Sequence, residues 1–160
     1  MIRRAGPEDL ARVDLETKAR PRELLDLGLP WLETLHADET GRILILDEEG
    51  FAGFAVVEQL YPEVYFLVNL AVTRPGRGDG RRLIRATLEA VFGELGAHRL
   101  FCDVAFDNEA GLKAFARAGF VQEGTMRQCW KRGGEWVDCH AFSMLADEWR
   151  AAQGGPSAPL

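Results

Sequence analysis

Apolar runs of strand length, separated by turn residues, dominate the first half of the chain. Residues 42–47 form a continuous apolar run that closes in an acidic turn at 47–50, and residues 51–58 follow as the predicted hairpin partner. Residues 64–72 form another run, rich in the β-branched and aromatic side chains that favour strands. Behind a short N-terminal strand at 2–5, the pattern predicts three consecutive antiparallel strands.

Helical patterns precede and follow these strands. Proline and acidic residues open a predicted helix at 6–10. A second helical segment after Pro21 is interrupted by Gly28 and Pro30, which predicts two short pieces or a kink. Beyond position 80, one face of a predicted helix carries the apolar residues Ile84, Leu88, Val91, Phe92 and Leu95.

The second half continues with a strand, a helix and a final pair of strands. Residues 100–106 form an apolar strand, and its position between two helices suits a parallel pairing in the sheet. Asn108 is the predicted N-cap of the next helix, and Gly119 is its predicted end. Two further strands, at 121–127 and 130–138, are predicted around a Gly-Gly turn.

The composition fits one globular domain without a second one. The chain has 160 residues, of which 47% are hydrophobic, and its net charge is -6 at pH 7. That charge disfavours non-specific binding to nucleic acid or to an anionic membrane, and it favours cationic substrates. The first residues lack an apolar signal core and no apolar run reaches the length of a membrane span, so we predict a cytoplasmic protein. Cys102, Cys129 and Cys139 lack metal-ligand spacing, which predicts reduced core thiols and no metal site.

A segment rich in glycine and arginine, residues 72–83, joins a strand to a helix without a spacer. Glycines at 76, 78 and 80 allow the backbone to approach a ligand, and the first turn of the helix offers unpaired N–H groups to an anion. Arginines at 74, 77, 81, 82 and 85 surround the turn. The segment therefore predicts a phosphate-binding turn, unless it is only a basic helix start in which the glycines serve the turn alone.

Spacing separates the known kinds of phosphate-binding turn. A Walker loop requires a lysine after its last glycine, and no lysine lies between Lys18 and Lys113. A dinucleotide fingerprint requires Gly-x-Gly-x-x-Gly, but the last position is Arg81 when counted from Gly76 and Leu83 when counted from Gly78. Both of these types are excluded.

The segment resembles the pyrophosphate loop of the GNAT N-acetyltransferases, Arg/Gln-x-x-Gly-x-Gly/Ala, which follows a strand and opens a helix. Starting the motif at Pro75 places Gly78 and Gly80 correctly but loses the leading basic residue, whereas starting at Arg77 puts Arg82 in the last glycine position. We favour the start at Pro75, because it keeps the apolar helix face aligned with the motif.

Two further stretches are similar to the same family. Asn108 followed by a helix and by Gly119-Phe120 matches Asn-x-x-Ser/Ala and the family's Gly-Phe, with Gly111 where Ser is common. The C-terminal stretch, with Glu-Gly-x-x-Arg at 123–127, Trp-Val-Asp and Glu-Trp, resembles the Rim-type branch. That branch acetylates ribosomal-protein amino termini and has relatives that act on polyamines, amino acids and antibiotics.

The resemblance implies one α/β GNAT domain over residues 1–150, with a mixed, mostly antiparallel sheet of about six to seven strands and about four flanking helices. It implies a flexible tail at 151–160, acetyl-CoA as cosubstrate, a primary amine as acceptor, and a monomer or homodimer. Residues 20–36 would overhang the acceptor groove. The residues implied to contact acetyl-CoA are Leu70, Ala71, Val72, Arg77, Gly78, Asp79, Gly80, Arg81 and Asn108.

The catalytic side chains of many relatives are missing. Phe66 stands where relatives often carry a carboxylate, and Phe115 stands where a tyrosine often protonates the thiolate. Glu58, on the neighbouring predicted strand, is the nearest candidate base, although a solvated strand end explains it as well. These departures leave a second hypothesis open, a non-catalytic module that binds acyl-CoA.

Three aromatic side chains near the C-terminal turn have two explanations each. Trp130 and Trp136 flank the Gly-Gly turn and could line an acceptor pocket or form a cross-strand pair. His140 lies on the strand that follows, and the alternation of the strand leaves open which face it occupies.

Overall fold

A computed structural model describes residues 1–154 as a single sheet of seven strands with helices on both faces. The strands are β1 (Ile2–Arg4), β2 (Arg42–Asp47), β3 (Phe51–Tyr61), β4 (Val64–Val72), β5 (Arg99–Ala105), β6 (Val121–Arg132) and β7 (Glu135–Leu145). The helices are α1 (Leu10–Lys18), α2 (Leu29–Ala37), α3 (Asp79–Leu88), α4 (Glu109–Arg117) and α5 (Ala146–Gln153). A π-helical turn, Glu89–Glu94, continues α3, and a short 3₁₀ turn, Pro7–Asp9, precedes α1.

The strand order is β1-β2-β3-β4-β5-β7-β6, and every neighbouring pair is antiparallel except β4 and β5. This confirms the predicted α/β fold, its mostly antiparallel sheet and the parallel pairing of the strand at 100–106. The strand count is at the upper end of the predicted range, and α5 is a fifth helix.

Each face of the sheet carries its own apolar layer. One layer lies under α3 and α4 and includes Leu44, Leu46 and Leu83. The other lies under α1 and α2 and includes Ile43 and Ile45. Because successive residues of a strand point to opposite faces, β2 must be apolar at every position to serve both layers. This is why the sequence shows a continuous apolar run there.

The parallel pair β4–β5 is short. Its register runs from Val64 opposite Arg99 to Phe66 opposite Phe101, and no further partner is recorded along the described chain. β4 continues along β3 to Val72, while β5 continues along β7 to Ala105. The two strands therefore diverge after Phe66 and leave a gap in the middle of the sheet.

A β-bulge in β4 lies directly beyond this divergence. Val57 of β3 pairs with Leu67, and the preceding residue, Val56, pairs with Asn69, so Val68 is the extra residue on β4. Val68 packs against the apolar layer under α1 and α2, and the Asn69 side chain reaches the loop between those same helices. The bulge thus turns two successive side chains toward one face.

Several predicted boundaries were wrong. The segment after Pro21 forms turns rather than a helix, and α2 begins only at Leu29, after Gly28 with φ +81°. β3 extends to Tyr61, so Glu58 lies inside the strand and not at its end. β6 is continuous to Arg132, and the turn at Gly133 and Gly134 divides the predicted strand at 130–138 between β6 and β7. Helix α5 extends to Gln153, and the remainder of the predicted tail, from residue 155, lies outside the described residues.

Candidate functional site

The glycine-rich turn connects the end of β4 to the start of α3. Gly76 and Gly78 have φ of +84° and +79°, values that non-glycine residues rarely adopt, so these two positions require glycine for the backbone itself. Gly80 lies in the first turn of α3, and a Cβ added there would meet no atom within 4 Å. The first helical bond of this end runs from the Arg82 N–H to the Gly78 carbonyl at 3.1 Å. The preceding N–H groups, at residues 79–81, are therefore available to an anion.

The arginines of the turn fall into two groups. Arg82 donates to the Glu48 carboxylate and Arg74 to the Glu48 carbonyl oxygen, so both are held by the β2–β3 turn. The amino terminus of Met1 and the Arg82 guanidinium together lower the pKa of the Glu48 carboxyl to about 2. Arg77 and Arg81 are exposed and make no ion pair or side-chain hydrogen bond with any residue that the structure describes. Arg85, further along α3, is likewise exposed and without an ion pair among the described residues, and Arg77 and Arg81 lie nearer to the turn.

The Asp79 side chain turns away from this surface. It is buried, with Oδ1 accepting from Arg82 at 3.2 Å and Oδ2 without a hydrogen-bond partner in the described part of the chain. Of the predicted cofactor contacts in the turn, Asp79 can thus offer its backbone N–H and not its carboxylate. Leu83 and Ile84 are also buried. They belong to the apolar helix face that is expected to follow a motif starting at Pro75.

The other predicted cofactor contacts lie on β4 and at the start of α4. Leu70, Ala71 and Val72 pair with β3, while the opposite edge of this part of β4 faces the gap. Asn108 caps α4 by accepting from the Gly111 N–H at 3.0 Å. A Cβ at Gly111 would lie 2.8 Å from the Asn108 amide nitrogen, so a side chain at this position would crowd the cap.

A cavity of about 350 Å³ opens at the gap between β4 and β5, on the face that carries α1 and α2. Its walls come from four neighbouring strands and from the loop between α1 and α2. The lining residues are Glu23, Leu25, Phe66, Val68, Asp103, Ala105, Met126, Cys129, Trp130 and Cys139. The lining contains two carboxylates and no lysine or arginine, so the cavity suits a cation with an apolar body.

Asp103 is the candidate that the sequence prediction missed. It lies on β5, two residues beyond the last residue that pairs with β4, and its side chain faces the cavity. The surrounding protein removes part of the solvent from the Asp103 carboxyl and thereby raises its pKa. The side chain is still exposed, because it faces the open cavity. No hydrogen bond or ion pair to its side chain is present among the described residues. The available signal was a lone acid within an otherwise apolar strand, residues 100–106.

Glu58 lies next to the cavity rather than in its wall. It pairs with Phe66 across β3 and β4, so the Phe66 ring stands between Glu58 and the open space. The Phe66 ring also packs against Phe101 with ring centroids 5.0 Å apart. Burial raises the pKa of the Glu58 carboxyl. Its catalytic role remains a prediction.

The loop over the cavity is fastened at two points. Asn69, which is buried, accepts from the Leu25 N–H at 2.9 Å and donates to the Leu25 carbonyl at 2.8 Å. Arg132, at the tip of β6, donates to the Arg22 carbonyl at 2.8 Å and to both carboxylate oxygens of Asp107 at 2.9 and 2.7 Å. These contacts hold Glu23 and Leu25 against the cavity.

The aromatic and thiol side chains around the cavity differ from expectation. Trp130 lines the cavity, but Trp136 pairs with Lys131 and is exposed, so the two tryptophans face opposite sides and form no cross-strand pair. Cys129 is exposed to the cavity instead of lying in the core. Burial and the adjacent Cys129 raise the pKa of Cys139 to about 12, which keeps that thiol protonated and disfavours it as a nucleophile.

His140 lies on the other side of the sheet from the cavity. Its Nδ1 is 2.9 Å from the Thr125 hydroxyl and 3.2 Å from the Gln122 amide nitrogen. These contacts belong to the β6–β7 pairing, so the histidine has a structural explanation and stands apart from the cavity.

Two negative observations concern residues 1–154. In that part of the chain no cluster of three His, Cys, Asp or Glu side chains could hold a metal ion. No helix there is long and apolar enough to cross a membrane.

Solved structures share this architecture along nearly the whole chain. A mutant spermidine N-acetyltransferase from Vibrio cholerae superposes with a TM-score of 0.81 at 18% identity, covering 96% of this chain and 99% of the other. A ribosomal-protein-S5-alanine acetyltransferase from Vibrio fischeri gives 0.76 at 19% identity, covering 92% and 93%. At these identities the likeness establishes the fold and not the substrate.

Sequence relatives extend the comparison. A phosphinothricin N-acetyltransferase from Alcaligenes faecalis is 30% identical over 142 residues, which cover 84% of this chain and 66% of that protein. An uncharacterised N-acetyltransferase from Bacillus subtilis is 24% identical over 110 residues, 67% of this chain and 64% of its own length. The matched stretches thus span about two thirds of these relatives. Residues 8–120 match the acetyltransferase (GNAT) family, and the chain belongs to that family.

Proposed function

We propose that this protein transfers the acetyl group of acetyl-CoA to a primary amine bound in the cavity between β4 and β5. The observation that carries the proposal is the gap itself. One end of it meets the glycine turn with its free N–H groups and the unpaired Arg77 and Arg81, and its other face opens into an acidic, partly aromatic cavity. A phosphate-bearing thioester and a cationic acceptor would thus approach one another through the sheet.

The chain's own groups divide the task. The turn at 76–81 would hold the pyrophosphate of the cosubstrate through backbone N–H groups and arginine. The open edge of β4 between Leu70 and Val72 would pair with the amide-bearing arm, as the family resemblance implies. Asn108 would contact the same arm while it caps α4. Bound acetyl-CoA supplies a thioester that is activated toward an amine, and the gap would hold the two reactants close together.

The lining of the cavity supports an acceptor that carries a positive charge. Glu23 and Asp103 line it and neither makes a direct ion pair with a described residue, and the overall charge of -6 points the same way. The matched relatives bear the names of enzymes for spermidine and phosphinothricin, both of which contain amines. We propose a small amine or a protein amino terminus as the acceptor class.

A non-catalytic module that binds acyl-CoA is the second candidate, and two apolar substitutions favour it. Phe66 occupies the family's carboxylate position, and Phe115 is buried against Phe120 with ring centroids 5.2 Å apart. A binding module would take up CoA but leave every amine unmodified. Release of free thiol from acetyl-CoA across a panel of amines separates the two candidates, because only an enzyme gives turnover that requires the amine.

Gly80→Val tests the cofactor site. The position has open space and an ordinary helical backbone, so the fold should survive, while a branched side chain would occupy the space of the phosphates. We expect calorimetry to show at least about tenfold weaker CoA binding with an unchanged melting temperature. Gly78→Val is unsuitable as a test of CoA binding, although the motif includes Gly78. The φ angle at Gly78 is +79°, so a valine there would strain the backbone and destabilise the fold itself.

Gly93→Ala is the matched control. Its Cβ would lie 3.7 Å from the Trp149 ring, which is an ordinary contact, and the position is far along the helical segment from the turn. It should bind CoA as the wild type does. Wild-type affinity in Gly80→Val would move the phosphates elsewhere. Arg81→Ala should weaken binding about tenfold, whereas Arg85→Ala, one turn further along the helix, should change it little.

A further inference from the structure

We propose that Asp103 is the catalytic base, which receives the proton of the acceptor amine in place of the carboxylate that Phe66 has replaced. The inference rests on the proposed function and deepens it, because it names the proton acceptor and requires that the acceptor arrive as an ammonium ion.

The geometry begins at the last pair of the parallel strands. Phe66 and Phe101 are opposite one another, and β4 and β5 diverge beyond them. Two residues further along each strand stand Val68 and Asp103, and both side chains line the cavity. These are the first cavity-facing positions on the two sides of the gap. A thioester held along the edge of β4 would therefore face Asp103 across the width of the gap.

The other carboxylates are less well placed. Glu58 is behind the Phe66 ring and is not part of the cavity wall. Glu23 lines the cavity from the loop between α1 and α2 and not from either strand that borders the gap. Of the described acidic residues, Asp103 is the one that lies on a strand bordering the gap and faces the cavity.

The surroundings of Asp103 favour proton acceptance. The groups that face the cavity from other elements are Glu23 on the loop, Cys129 on β6 and Cys139 on β7, while β4 contributes the uncharged Phe66 and Val68. None of these groups is a cation, and a nearby cation would lower the pKa of the Asp103 carboxyl. Partial exclusion of solvent by the surrounding protein raises the pKa of its carboxyl above the ordinary value, which strengthens it as a proton acceptor.

The reaction balances with this single group. The ammonium ion of the acceptor gives one proton to the Asp103 carboxylate, and the neutral amine then attacks the thioester carbon. The N–C bond forms and the C–S bond breaks, and the sulfur leaves with its electron pair. A second proton leaves the acetylated nitrogen for solvent, and the Asp103 carboxylic acid can return its own proton to the thiolate. No oxidant or further reactant is needed.

The test compares Asp103→Asn with Glu58→Gln and Glu23→Gln by measuring kcat/KM from about pH 6 to about pH 9 with the best acceptor of the amine panel. The asparagine keeps the size of the side chain, and circular dichroism and CoA titration check the fold and the cofactor site. We expect Asp103→Asn to lower kcat/KM about 100-fold at neutral pH and to recover part of it at high pH, where free amine is abundant. Asp103→Glu should restore part of the rate.

The controls separate base catalysis from acceptor binding. Glu23→Gln should raise KM for the acceptor and leave the pH dependence of kcat as in the wild type, and Glu58→Gln, the variant of the competing candidate base, should change the pH profile far less than Asp103→Asn does. The assignment is overturned if kcat/KM of Asp103→Asn stays within about threefold of wild type at every pH. It is also overturned if Glu58→Gln, and not Asp103→Asn, changes the low-pH side of the kcat/KM profile. A wild-type protein that binds CoA but acetylates no amine refutes the proposed function itself, and the assignment of Asp103 with it.

Discussion

Replacing Asn69 by alanine should detach the loop between α1 and α2 from the cavity that is proposed to bind the acceptor. Asn69 is 7% exposed and its amide makes two hydrogen bonds with the backbone of Leu25, at 2.9 and 2.8 Å. Each such bond contributes about 0.5–1.5 kcal/mol net, so the pair contributes about 1–3 kcal/mol. Leu24, buried at 5% exposure, and the Arg132 bond to the loop would remain. We therefore expect local release of the loop rather than global unfolding.

The effect on function follows from the same energy. If the loss of both bonds leaves the released loop about 1.4 kcal/mol more stable than the held loop, the population able to bind the acceptor falls about tenfold, and KM for the acceptor rises by that factor. CoA affinity should stay unchanged, because the turn at 76–81 is on a different part of the molecule. Urea unfolding measures the global stability, and steady-state kinetics measures KM for the acceptor. The rate of tryptic cleavage after Arg22 measures release of the loop.

Two controls make the Asn69 test specific. Asn69→Asp keeps an oxygen toward the Leu25 N–H but sets another against the Leu25 carbonyl, so it should be as harmful at neutral pH and milder in acid, where a protonated carboxyl can donate. Thr34→Ala removes an exposed 2.9 Å bond to Pro30 on α2 and should change little. An Asn69→Ala protein with wild-type stability, acceptor KM and tryptic cleavage would refute the reasoning.

Three further changes test other contacts. Asp9→Asn should lower the free energy of unfolding by about 1.5–3 kcal/mol at pH 7. The hydrogen bond from Arg3 holds the pKa of Asp9 below its usual range. The stability from this pair is therefore present above the unfolded-state pKa near 3.9 and is lost as the pH falls through the folded-state pKa of Asp9. In urea unfolding, the difference in free energy between Asp9→Asn and wild type should shrink at about pH 3. Phe115→Tyr should change turnover by less than about tenfold, since a thiolate with a pKa near 8.5 leaves without an added acid, and a large gain would contradict this. Arg132→Ala removes the hydrogen bonds from Arg132 to the Asp107 carboxylate and to the Arg22 carbonyl of the loop. It should raise acceptor KM, measured by kinetics, more than it changes the Kd for CoA, measured by calorimetry.

The sequence alone determined the parts of this protein that depend on neighbouring residues. Alternation and apolar runs located the strands, because both faces of the sheet are covered and the runs had to be apolar. Glycine spacing located the turn, because Gly76 and Gly78 adopt a backbone conformation that other residues avoid. The identity of the cap at Asn108 followed from the same kind of local chemistry.

Tertiary structure decided what depends on distance across the sheet. The position of Asp103 at the cavity follows from the point where β4 and β5 part, which is a matter of pairing register and twist rather than of local composition. The loop after Pro21 looked helical because its leucines have helical spacing, but Asn69 and Leu25 bind one another over 44 positions and override that propensity. Arg132 reaches back over 110 positions to the same loop. A linear pattern carries no record of such contacts, because their energy arises only when the strands have been brought side by side.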